Sequence, residues 1–253
     1  MSAPYDDTDT DAAARYAKAR AQIAGEESGG LDGVVGILHR LCRSLTANLD
    51  ITGAAVILMS AGESDGVAAA SDERSRALGE LPFAMGEGPC HDAYIARRPV
   101  LTPDLREVPG GRWPGYASAA LSSGVHAIFA FPLHVGAASF GVLDAYAERP
   151  GSLSIEQEAM ALTFAQIATE ILLDGDLTTP DGKLDPGLST ALDGRAEIHQ
   201  AQGMVVVDLG IPPAQALARM RAYAFASGTP LIELARKIID GLTLSDDDDL
   251  NLE

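Results

Sequence analysis

The sequence predicts an α+β fold in two parts: an N-terminal antiparallel sheet with flanking helices, then a C-terminal all-α unit of three helices. Three observations carry this reading. Two apolar runs of strand length, residues 125–134 and 139–147, are separated by a glycine-containing turn and read as a hairpin. Helix-period apolar stripes lie before and after that strand region. Beyond a stretch dense in Gly, Pro and Asp at 174–187, strand signals stop and three amphipathic helical segments follow.

The elements follow in order. Residues 1–30 read as an acidic, disordered tail leading into a short alanine-rich helix over 12–23, broken by GEESGG at 25–30. Over 31–49, Leu31, Val34, Val35, Leu38, Leu41, Cys42 and Leu45 recur at helical spacing and mark a core-facing stripe. Residues 53–59 (GAAVILM) are a short apolar strand. In 125–134 (VHAIFAFPLH), Phe129 and Phe131 share one face with Val125, Ala127 and Leu133, and His126, Ile128, Ala130, Pro132 and His134 take the other. Pro132 has no N–H for a ladder, so it predicts an edge or a bulge. Residues 139–147 (SFGVLDAYA) return antiparallel after the turn at 136–138. Ser154 and Gln157 form a capping box for a helix to about Leu173, with Ile155, Ala159, Leu162, Ile167 and Ile171 as its inward stripe. The linker 174–187 is the domain boundary, separating a domain at 31–173 from one at 188–244.

The C-terminal segments start at Leu188, Pro212 and Thr229. The first places Ile198, Ala201, Val205 and Leu209 on one side and Arg195, His199 and Gln202 on a separate polar side. The second turns Leu217, Met220 and Ala224 inward. In the third, Thr229 serves as N-cap and Pro230 as first helical residue, with Leu231, Leu234, Ala235, Ile238 and Leu242 facing the core. Three short helices bury little area alone, so the unit is expected to dock, most simply on a second copy. Residues 245–253 (SDDDDLNLE) form an acidic tail.

Composition excludes several classes. The chain has 253 residues and a formal net charge of -18, which argues against a surface that binds polyanions everywhere. The charge is uneven. Residues 191–244 carry five basic and five acidic side chains, whereas residues 1–190 carry 13 basic against 26 acidic. The helical unit alone does not repel a nucleic acid. Two cysteines cannot staple a disulfide scaffold, and a reduced, cytoplasmic compartment is expected. No apolar run approaches the roughly 20 residues of a membrane span, and no secretory signal is visible in the first 31 residues.

Chemistry-bearing motifs are few. Gly86–Cys90 (GEGPC) specifies a tight turn before a helix, and a Cys at a helix start has its thiolate favoured by backbone N–H groups. His91 is adjacent, and successive helical residues do not face one another, so a Cys–His nucleophile is not indicated. The five histidines are scattered without HExxH or CxxC, which predicts no metal site. His126 and His134 share a strand face roughly 26 Å apart, too far for one ion. Phosphate-cradling glycine loops are absent. Trp113 reads as a loop anchor over the sheet or a pocket wall. No catalytic residue is assigned.

Residues 188–243 resemble an ANTAR domain, the three-helix RNA-binding module of bacterial antiterminators, through IHQAQG (198–203), ALARMRAYA (216–224) and PLIELARKII (230–239). Residues 31–173 resemble the GAF sensor domain that precedes ANTAR in many actinobacterial proteins. The matching segments are GAAVILMS, ASD, GEGPCHDA, RPVLTPDL, RWP, GVHAIFAFPLHVG and GVLDAY. The resemblance implies a dimer that holds the loops of paired RNA hairpins and so prevents a terminator from forming. The RNA-binding candidates it implies are Arg195, His199, Gln202, Arg221, Arg236 and Lys237. The motif usually has a basic residue where Gln202 stands, and the third helix often ends in a basic cluster where this chain runs Asp240–Gly241–Leu242. For the sensor half it implies a small-molecule pocket on one sheet face, with Cys90, Trp113, Phe129 and Phe131 as lining candidates and the ligand unnamed. Two alternatives remain: a protein-interaction or redox-sensing module with degenerate RNA binding, and a GAF-type free methionine sulfoxide reductase, a family that typically uses more cysteines than Cys42 and Cys90.

Overall fold

Strands that are apolar at nearly every position must be covered on both faces, and this sheet is. The computed structural model describes residues 7–27, 29–31, 33–60, 63–109, 111–175 and 186–244. Five antiparallel strands, β1 (Gly53–Ser60), β2 (Glu63–Ala70), β3 (Val100–Thr102), β4 (Ala127–Val135) and β5 (Ala138–Ala147), lie in the order β2-β1-β5-β4-β3. One face packs on α1 (Asp7–Gly25), α2 (Gly33–Leu49) and α6 (Ile155–Asp174). The other packs on α3 (Glu73–Met85), α4 (Pro89–Ala96) and α5 (Pro114–Ser122). The C-terminal unit is α7 (Pro186–Leu209), α8 (Pro213–Ser227) and α9 (Leu231–Ile239).

Within β4 the alternation is the one the sequence predicts, but Val125, expected on the Phe129 face, precedes the strand and packs in the opposite core. Ala127, Phe129, Phe131 and Leu133 enter the α1/α2/α6 core, and Ile128 and Ala130 enter the other. Pro132 pairs in register with Val142 of β5 and lies past the three residues that β3 pairs, with a bulge between Leu133 and His134. Its missing N–H therefore falls where β4 has no third strand beside it.

Three expectations are corrected. The N-terminal helix starts at Asp7 rather than Ala12, in an aspartate-rich stretch that the positive end of a helix dipole favours. It is tied to α6 by the Tyr16 hydroxyl on the Glu170 carboxylate and by Arg15 Nε donating to Thr163 Oγ1 at 3.2 Å. The α6 capping box is present, but Ile155 is 85% exposed and Leu162 45%. The buried side instead comprises Ala161, Phe164, Ala165, Ile167, Ala168, Ile171 and Leu172, because small alanines let the helix approach α2 and the sheet. Thr229 is not the cap of α9; Pro230 holds that place without a side-chain bond. The helical unit, as expected, docks on a neighbour, here the N-terminal domain of its own chain. Phe83 of α3 belongs to the same apolar cluster as Ile198, Met220, Leu234 and Ile238. Most of the linker, the acidic tail at 245–253 and the first six residues lie outside the described residues.

Gly141 marks the closest backbone approach in the sheet: a Cβ there would run into the Ile57 carbonyl across the β1–β5 pair. Neither strand can yield without breaking ladder bonds. Gly141→Ala is therefore expected to destabilise the chain by about 1–3 kcal/mol, read as a lower urea midpoint at unchanged slope.

Candidate functional site

On the α3/α4/α5 face, four polar groups converge inside the N-terminal domain. Gly88 at φ +147 and Pro89 open α4 and bring Cys90 down to the sheet. Tyr116 descends from α5, and Asp144 and Tyr146 rise from β5. Asp144, Tyr116 and Cys90 are 0% exposed and Tyr146 1%. No atom among the described residues meets either Asp144 oxygen or either tyrosine hydroxyl at good hydrogen-bond geometry, although the Tyr146 hydroxyl lies near enough to Asp144 to favour its charged form. A Cβ at Gly79 would sit 3.6 Å from the Tyr146 hydroxyl, which places that hydroxyl directly beneath α3.

Burial sets the electrostatics. It pushes the Asp144 carboxyl up to about 8, against an opposing contribution from the Tyr146 hydroxyl. Burial, and then the Asp144 charge, push the Cys90 thiol and the Tyr116 and Tyr146 hydroxyls well above their ordinary values. Cys90 Sγ lies 3.7 Å from His91 Nδ1, so these neighbours do touch, contrary to the helical-spacing expectation. The contact does not make a nucleophile, because the thiolate is disfavoured at that depth. Cys42 is 0% exposed, with burial pushing its thiol to about 12.

The four lining candidates do not share one pocket. Cys90 and Trp113 lie in the core on the α3/α4/α5 face. Phe129 and Phe131 belong to the opposite core, packed under α1, α2 and α6, and line nothing on the first face. The correction follows from strand alternation, since odd positions of β4 turn away from α4 and α5. Trp113 is 5% exposed, with the Arg112 guanidinium 4.2 Å from its ring, and borders a cleft of about 210 Å³ with Leu101, Pro103 and Val108. A second cleft of about 210 Å³ opens at Tyr146, between Thr52, Ser75, Leu78 and Val125. Among the described residues no three His, Cys, Asp or Glu side chains gather to hold a metal.

The RNA candidates are divided as well. His199, Arg236 and Lys237 are exposed and Gln202 half-buried. His199 Nδ1 meets Gln202 Oε1 at 3.1 Å, Gln202 Nε2 donates to the Pro213 carbonyl at 2.7 Å, and Arg236 Nε pairs with Glu197 at 2.8 Å. Arg195 is 8% exposed. It lies 3.4 Å over the Phe83 ring, donates Nη2 to Glu80 at 2.7 Å, and donates Nε to the Asp65 carbonyl at 3.2 Å. Burial draws its pKa down while Glu80 opposes the shift, and arginine stays charged throughout. Arg221 approaches the other side of this contact, 5.1 Å from the Phe83 ring, with Nε donating to the Phe83 carbonyl at 2.8 Å.

Sequence reasoning missed Asp144, Tyr116, Tyr146, Glu80 and Phe83. For Asp144 a signal existed: an acid inside the apolar strand run VLDAY is a buried charge in need of a purpose. Nothing local marks Phe83 as the residue shared between the two halves.

A family model for the GAF domain matches residues 33–172, and one for the ANTAR domain matches residues 187–239. No curated protein matches the chain. Among solved structures, the GAF domain from a phosphoenolpyruvate-protein phosphotransferase of Coxiella burnetii is similar in fold, with a TM-score of 0.50 and 15% identity over 65% of this chain and 94% of that one. The free methionine-R-sulfoxide reductase from Neisseria meningitidis, solved with its substrate, gives a TM-score of 0.45 and 19% identity over 68% and 93%.

Two outcomes are expected. Asp144 titrates near 8 folded against an ordinary 3.8. Between those values the unfolded chain has released the proton that the folded chain keeps, so stability falls as pH rises. Asp144→Asn removes that slope, and urea unfolding from pH 4 to pH 8 should show wild type losing stability relative to the variant. Both thiols should also resist an aromatic disulfide reagent until the chain is denatured; rapid reaction of native protein would show that a route to them is open.

Proposed function

The chain belongs to the GAF domain family and carries an ANTAR domain behind its GAF domain, and from that premise we propose that it is a ligand-responsive RNA-binding regulator of transcription antitermination. The observation that carries the sensing half is the buried quartet of Asp144, Tyr116, Tyr146 and Cys90. Buried polar atoms without partners are costly, at roughly 1–3 kcal/mol each. A small molecule rich in hydrogen-bond donors, such as an amine or amide, satisfies an acceptor-rich carboxyl and two hydroxyls at once.

The RNA half uses exposed His199, Arg236 and Lys237 with half-buried Gln202 as its open contacts, and Arg195 and Arg221 as contacts held by the sensor in this arrangement. Guanidinium and amide groups suit unstacked bases in hairpin loops. The chain acts as a homodimer, so that two copies hold paired hairpins. Thiol catalysis on free methionine sulfoxide has little support from residues whose thiolates burial disfavours. Thiol redox sensing would require Cys42 and Cys90, on opposite sheet faces, to act separately.

Titration of the full chain against tandem-hairpin RNA tests the reading. Arg236→Glu and Lys237→Glu should each weaken binding about tenfold and lower the slope of log affinity against log salt by about 1. Unchanged binding in both variants would put the RNA elsewhere.

A further inference from the structure

We propose that the sensor domain masks the RNA-binding arginines: Arg195 and Arg221 grip Phe83 of α3, and RNA competes with that grip. The inference rests on the RNA reading above and concerns its regulation. Among the described residues, Phe83 is the only one from the sensor domain in the helical unit's buried core. Its ring lies 3.4 Å from the Arg195 guanidinium carbon and 5.1 Å from that of Arg221, as an unstacked base would lie against arginine. The Glu80 carboxylate at 2.7 Å takes the place of a phosphate on Arg195. The Asp65 and Phe83 carbonyls accept the two Nε–H groups. Donors engaged in this way cannot serve a hairpin loop, so docking and RNA contact by these two residues exclude each other.

The seat of the grip is also a wall of the sensor cluster. Gly86 has φ +71, and a Cβ there would lie 2.7 Å from Arg221 Nη1. Glu87, next in the chain, accepts the Gly115 and Tyr116 N–H groups at 2.7 and 3.1 Å and so holds the start of α5. A Cβ on Gly88 would meet the Tyr116 ring at 3.1 Å. The 86–88 turn thus touches Arg221 on one side and Tyr116 on the other. A molecule that displaces Tyr116 drives this turn against the grip, so occupancy of the Asp144 cluster and release of the arginines are linked.

The test uses full-length wild type, Glu80→Gln and Phe83→Ala. Each is treated with phenylglyoxal without RNA, with the exposed Arg98 as internal reference, and titrated at fixed salt against tandem-hairpin RNA with randomised loops. Glu80→Gln is a shape-preserving change on a half-exposed helix face and keeps the test valid if Phe83→Ala fails to fold. Arg195 and Arg221 should be protected in wild type and reactive in the variants. Phe83→Ala should bind RNA about tenfold more tightly and Glu80→Gln about three- to fivefold, because apparent affinity scales with the competent fraction. The proposal is overturned if wild-type Arg195 and Arg221 react as fast as Arg98, or if they stay protected in the variants. It is equally overturned if unmasking leaves RNA affinity within about twofold of a wild type that binds. If the arginines are unmasked and no form binds RNA, the RNA reading itself fails, and the masking role falls with it.

Discussion

Phe83 of α3 is the buried ring that ties the two halves of this protein together, beside the packing of α7 against β2. Burying a phenylalanine side chain is worth about 1.5–3 kcal/mol, and arginine over its face adds about 0.5–2 kcal/mol. The Arg195–Glu80 pair adds at most about 1 kcal/mol, because the Glu80 side chain is 42% exposed. The Phe83 contact by itself is thus worth a few kcal/mol, and the packing of α7 on β2 adds to it.

The two faces of the sheet divide the labour. The α2 and α6 side is built from helices of 17 and 20 residues over an apolar core that includes Phe129, Phe131 and Phe164. The other side has helices of 13, 8 and 9 residues, glycines in the connecting turn, and the buried carboxyl, hydroxyls and thiol. The first is a platform. The second is the side on which polar groups lie unpaired, and it is also the side that meets the helical unit. The unpaired polar groups and the docking contact therefore share α3 and the turn after it.

Much of the fold was legible because periodicity and caps are local. The β4–β5 hairpin, the α6 capping box and the inward stripes of α8 and α9 could be read from spacing alone. β2 was not, because ESDGVAAA contains few strand-favouring residues, and it owes its place to pairing with β1 across two register shifts. Nor was α3, whose sequence carries Gly79 and Pro82. In α6 the larger apolar residues Ile155 and Leu162 pointed to the wrong side, since close packing selected alanines that carry little pattern signal. Of the lining candidates, Cys90 and Trp113 lie on the face that holds the buried carboxyl and hydroxyls, whereas Phe129 and Phe131 lie on the other. The charge neutrality of the helical unit was visible in the sequence. That Arg195 and Arg221 spend their charge on an internal aromatic ring is a tertiary fact with no local trace.

Trp113 is the only tryptophan in the chain, and its position gives the protein an intrinsic optical reporter. Trp113 holds the N-cap position of α5 in a left-handed backbone conformation, its ring under the Arg112 guanidinium, two residues before the Gly115 N–H that Glu87 accepts. Its emission arises in a single environment, undiluted by other indoles. Any rearrangement of α5 relative to the sheet should therefore register as a change in fluorescence colour or quenching, with no label attached.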